Sequence, residues 1–219
     1  MEFSPGAALR FGWATFKKRP GFFILAGLVI LLISAAVSAV TTGIDATISG
    51  SADEPSIVGS LLNTALGVLV SMGATAFYLH AHDNPEGATL SSLWHPRPFW
   101  KYLLASLLLG ITIAIGFLLL IVPGIIFTLM FLFTTFIVID REFGPIEAMK
   151  ESHRITRGHK LPLLGFLLLL MLINLGGLLA FVVGLLVTIP VSSLAVMHVY
   201  RVLGGRAAPD AAMPTSVPA

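Results

Sequence analysis

His80, His82 and Asp83 put two imidazoles and a carboxylate within four positions, the residue types of a metal site. The two histidines stand two apart, so on one helix they point to different faces, and no clear fourth ligand accompanies them. The spacing predicts polar residues closing an apolar segment, with no metal held. Ser152-His153 pairs a hydroxyl with a base, yet adjacent helical residues do not face one another. Asp140-Arg141-Glu142 reads as a charged stop. Asn63 and Asn174 can each bind a solute, or more simply hydrogen-bond to a neighbouring helix. No paired carboxylates, phosphate loop or nucleophile elbow occurs. The absence of cysteine removes disulfides and thiolate chemistry together. The residues therefore predict a protein that is not an enzyme and uses no cofactor.

The elements that carry these side chains are apolar. Of the 219 residues 56% are hydrophobic and only 11% charged, too few charges to cover a soluble domain. Segments 20–43, 56–79, 102–139 and 161–199 contain no Lys, Arg, Asp or Glu. A helix needs about 20 apolar residues to cross a bilayer, so the first two segments are single crossings and the last two are long enough for two each. Six crossings leave four segments on one side. They carry Arg10, Lys17, Lys18 and Arg19; Arg97 and Lys101; Arg141, Lys150, Arg154, Arg157 and Lys160; and Arg201 and Arg206, which is every base in the chain. The other side receives Asp45, Asp53 and Glu54. The positive-inside rule then puts both termini in the cytoplasm. Lys17-Lys18-Arg19 followed by 22–33 and Val37-Ser38-Ala39 imitates a cleavable signal, but the apolar run continues to Val40 and predicts an uncleaved first helix.

The expected fold is an all-α integral membrane protein of six crossings arranged as three hairpins, each preceded by a cytoplasmic amphipathic surface helix. One membrane domain covers 1–204. Its surface helices lie at 4–18 and 144–158, and its crossings at about 20–43, 56–80, 100–121, 124–140, 161–183 and 186–203. Residues 205–219 read as a disordered cytoplasmic tail. A weaker third surface helix falls at 86–97. Pro123-Gly124 is expected to turn the third segment and Gly184 the last. In 144–158 the charges Glu147, Lys150, Glu151, Arg154 and Arg157 share an arc of about 120°, as a helix lying on a membrane needs. Lys150, Arg154, Arg157 and Lys160, together with Lys17, Lys18 and Arg19, are thus candidate contacts to anionic lipid headgroups. Gly59, Asn63, Gly67, Ser71 and Thr75 recur every fourth residue and, with Asn174, form a candidate helix-packing seam. The crossings hold no intramembrane acid or base for proton or sodium coupling.

Pro123-Gly124-Ile125, Asp140, Gly144-Pro145-x-Glu147-Ala148-x-x-x-Ser152 and Gly158-His159 together carry a resemblance. The chain resembles multi-pass bacterial inner-membrane proteins of unknown function. It is also similar to the membrane domain that precedes the catalytic domain in some glycerophosphoryl diester phosphodiesterases. The likeness is best over the C-terminal hundred residues. It implies a location in the inner membrane and transfers no catalytic residue. Together these readings predict a non-enzymatic membrane- or lipid-associated envelope component. The alternative is a small transporter or export accessory for an uncharged or amphipathic solute. The expected partners are membrane lipids, with a second copy of the chain or another membrane protein left open. Nucleic acid is excluded for want of a basic stripe interleaved with aromatics.

Overall fold

The computed structural model describes residues 4–50, 56–94, 98–180 and 184–205. Among them every regular element is helical: α1 (Pro5–Lys18), α2 (Pro20–Ser49), α3 (Ile57–Asp83), a 3-10 turn (Leu90–Leu93), α4 (Phe99–Leu119), α5 (Ile121–Met130), α6 (Thr134–Arg141), α7 (Pro145–Thr156), α8 (Lys160–Leu179) and α9 (Leu185–Leu203). Six stretches are long and apolar enough to cross a membrane, α5 and α6 counting together as one. Such sequences are helical because a chain in hydrocarbon must satisfy its backbone polar groups within itself.

Local chemistry places the ends. Pro5, Pro20 and Pro145 open their helices, where a missing N–H is no loss. Helix α2 runs past the expected residue 43 to Ser49 and stops at Gly50, whose φ of 74° closes a helix in the left-handed conformation. Its last turns hold Asp45, whose Oδ1 accepts from the Ser56 backbone N–H at 2.8 Å and from the Ser56 hydroxyl. The Ser56 hydroxyl in turn accepts from Gly59 N–H at 2.9 Å, capping α3.

Two expectations need correcting. The third segment turns at Leu120 rather than at Pro123-Gly124: Leu120 is extended, and both residues fall in the first turn of α5, where proline is tolerated. Gly124 instead lets α4 and α5 touch, since a Cβ there would lie 2.5 Å from the Phe117 ring. No surface α-helix forms over the described part of 86–97. The chain folds back as the short Leu90–Leu93 turn, its Leu93 carbonyl filling the space beside Gly73. The crossing expected at 124–140 is present as the stretch Ile121–Arg141, which breaks at 131–133 between α5 and α6. Residues 206–219, including nearly all of the expected tail, lie outside the described residues, as do 181–183 beside the Gly184 turn.

The buried core gathers where α3, α6 and α9 end, around Phe77, Phe133, Ile137, Met197, Val199 and Tyr200. Helix α9 is central, half of its apolar window buried against about a tenth for α2. Away from that end, leucines such as Leu31, Leu118 and Leu172 stand exposed.

Candidate functional site

The last turns of α3, α6 and α9 each close an apolar run with charge, and packing brings those charges together. Arg201 is buried, its side chain 8% exposed. Its Nε and Nη2 donate to the two oxygens of Asp83, at 3.0 and 2.5 Å, and its Nη1 donates to Asp140 Oδ1 at 2.8 Å. The Tyr200 hydroxyl donates to the other Asp140 oxygen at 2.8 Å. A guanidinium out of water is costly unless its donors are met, and its planar fork suits this two-sided clamp. Beside the clamp lies a cleft of about 550 Å³ with His80, Asp83, Ser91, Trp94 and Arg201 in its walls.

His82 is fully buried next to it. Its Nδ1 is 3.0 Å from Asp83 Oδ1 and its Nε2 is 3.4 Å from His198 Nδ1, while Phe11 of α1 stacks on His198 at 4.1 Å between ring centres. His80 turns away, toward the Ser92 hydroxyl at 3.0 Å. His80 thus parts from His82 and Asp83, which stay in contact, and among the described residues no three metal-ligating groups converge. Sequence reasoning missed Arg201 and its acids as a unit. The available signal was numerical: one base and two acids close the ends of three apolar helices.

Helix α7 docks onto the break between α5 and α6. The Ser152 hydroxyl donates to the Met130 carbonyl at 2.9 Å and accepts from Phe133 N–H at 3.2 Å, meeting backbone groups that the break frees. Ser152 and Thr156 are fully buried, and so is Ala148. On the other face Glu151 joins Arg141 at 2.5 Å to Arg154 at 2.6 Å. Hydrogen bonding from Arg154 holds the Glu151 carboxyl below its ordinary range; burial opposes this and Arg141 adds to it. Glu151 in turn raises Arg154.

The candidate headgroup contacts divide accordingly. Lys17, Lys18, Lys150, Arg154 and Arg157 are exposed, and Lys160 is half-buried. Arg154 is engaged with Glu151. Arg19 is tied down as well: its guanidinium donates to the Glu86 and Ala88 carbonyls at 2.9 and 3.1 Å and lies over the Phe22 ring.

Of the five α3 positions in the candidate seam, the two at its ends, Gly59 and Thr75, are buried. Gly59 meets Asp45 of α2, and buried Thr75 donates back to the Ser71 carbonyl at 2.8 Å. Asn63 and Ser71 are exposed, and a Cβ on the half-buried Gly67 would meet nothing within 4 Å among the described residues. Asn174 does join helices, donating to the Ser192 hydroxyl of α9 at 3.0 Å.

Among the described residues every regular element is helical and six stretches have membrane-crossing length and apolarity, which with a cross-linked charged end defines the class. Residues 25–217 match the family described as "Domain of unknown function (DUF7847)", and the chain belongs to that family. It is 28% identical over 236 residues to uncharacterized protein Rv2560 of Mycobacterium tuberculosis, covering 97% of this chain and 72% of the relative. Uncharacterized protein Mb2590 of Mycobacterium bovis is similar to the same extent. No solved structure matches.

Proposed function

We propose that this protein is a non-enzymatic, lipid-associated component of the bacterial inner membrane, crossing it six times as three hairpins with both termini in the cytoplasm. Helices α1 and α7 are its cytoplasmic surface helices. One observation carries the reading. Asp83, Asp140 and Arg201 close three different apolar helices and meet in one clamp, as three cytoplasmic ends of an even-numbered bundle should. The contact of Asp45 with Ser56 between α2 and α3 supplies the outer counterpart. Kinship to the membrane domain of glycerophosphoryl diester phosphodiesterases is part of the same proposal. It is consistent with a role beside lipid chemistry rather than in it.

The open α3 face with Asn63, Gly67 and Ser71 favours a second reading, a small transporter or export accessory whose uncharged or amphipathic solute meets that face. Topology is tested first. In this cysteine-free chain Ser51→Cys, Ser91→Cys and Ser216→Cys are introduced singly and treated in intact cells with a membrane-impermeant maleimide. Only the protein with the change at position 51 should be labelled. Labelling at position 91 would overturn the arrangement.

A further inference from the structure

Under α1, an apolar cavity of about 270 Å³ opens between α8 and α9, walled by Leu9, Trp13, Ile173, Val187, Thr188 and Val191. Helix α1 is held over it by backbone contact: a Cβ on Gly12 would lie 2.5 Å from the Val191 carbonyl oxygen and 3.2 Å from the Ala195 side chain. Ala8, Thr15 and Phe16 are buried on that same side. The flank of α1 beside this contact carries Arg10, Trp13 and Lys17 at i, i+3 and i+7, an arc of about 60°. Arg10 reaches the rim of the cavity, and the Lys17 ammonium lies 6.0 Å from the half-exposed Trp13 ring.

Among the described residues of α1 the charge at this rim is of one sign. Helix α1 holds Arg10, Lys17 and Lys18 and no acid, and among the described residues none of the three bonds to a carboxylate. The bases of α7 differ, because Glu147 and Glu151 share their arc. In the cavity wall the Thr188 hydroxyl oxygen is buried with no hydrogen-bond partner among the described residues. The apolar groove between α2 and α3, lined by Ile30, Leu66 and Leu69, has no base among its described lining residues.

We propose that this is a binding site for one anionic phospholipid of the cytoplasmic leaflet. An acyl chain fills the cavity, and the phosphate sits against Arg10 and Lys17 beside the Trp13 indole. Each part answers one part of the ligand: apolar walls for the chain, paired cations for the phosphate, and an interfacial Trp at the boundary between them. The proposal rests on the membrane reading above. A free phosphate shares the headgroup chemistry but has no use for the cavity.

The test uses the full chain purified in an uncharged detergent, with thermal unfolding followed as lipid is added. Dioleoyl phosphatidylglycerol at about a hundredfold over its dissociation constant should raise the midpoint by at least ~5 °C. Dioleoyl phosphatidylcholine and inorganic phosphate should leave it unchanged. The double variant Arg10→Gln/Lys17→Gln, both exposed positions, should lose most of the rise, and Val187→Trp, which fills the cavity, should abolish it. Lys150→Gln/Arg157→Gln on α7 should keep it. An equal rise with phosphatidylcholine, or a full rise in the Arg10/Lys17 variant, overturns the proposal. A rise with inorganic phosphate alone assigns the rim to a free anion and also overturns it. If Val187→Trp fails to fold, the surface double variant decides. Failure of the membrane reading appears separately, as labelling at position 91 or release of the protein from membranes by alkaline washing.

Discussion

Arg201 shows how one side chain ties three helices, and what its loss should cost. Arg201→Ala removes the guanidinium that joins Asp83 to Asp140. Breaking a buried pair from one side typically costs about 3–5 kcal/mol. Asp83→Asn should cost less, since Asp83 is 44% exposed and water can replace part of its bonding. Thermal unfolding in detergent checks the order; an unchanged midpoint for Arg201→Ala would mean that the clamp holds nothing. Glu151 adds a pH-dependent contribution. Its carboxyl is held below the ordinary range, mainly by Arg154, so it stabilises the fold above the unfolded glutamate value and loses that effect as pH falls through the folded value. The midpoint gap between the native chain and Glu151→Gln should stay constant above about pH 5 and shrink toward zero in more acidic solution. A gap that widens on acidification contradicts the assignment.

At the scale of elements, periodicity identifies an amphipathic helix without saying what its apolar face will meet. For α7 that face meets protein: Ser152 and Thr156 turn onto the interrupted backbone of α5 and α6. For α1 it meets α9 at Gly12 and leaves a cavity beside the contact. Packing therefore reverses the weight that spacing gives to Gly67 and puts it on Gly12. Gly67 belongs to a regular four-residue pattern yet faces open space, whereas Gly12 belongs to no pattern and touches backbone. Gly12→Val should lower stability by about 1–3 kcal/mol, the range for overpacking. Gly67→Leu should change stability by less than ~0.5 kcal/mol, as surface replacements do. Comparable losses for both would mean that Gly67 is covered by something beyond this chain, such as a second copy, which chemical cross-linking would then detect.

Across the whole molecule, tight packing is concentrated at the charged end, and the apolar helices reach away from it with much of their surface free. What the residues alone determined is the all-helical class, the number of long apolar helices and the gathering of charge at their ends. Those properties are sums over short windows, and a helix in hydrocarbon satisfies its backbone locally whatever its neighbours are. The start of α7 after Gly144-Pro145 was legible for the same reason. What only the tertiary structure decided is partnership. Arg201 binds Asp83 across 118 positions and Asp140 across 61, and no local pattern announces either pairing. The turn at Leu120 rather than at Pro123-Gly124 follows from the close approach of Gly124 to Phe117, again a contact between helices. The interruption at 131–133 persists because Ser152, some twenty positions later, meets the freed backbone groups. Local chemistry sets where helices begin and how apolar they are, while the network at their ends and the cavity under α1 depend on distances that exist only after the helices have packed.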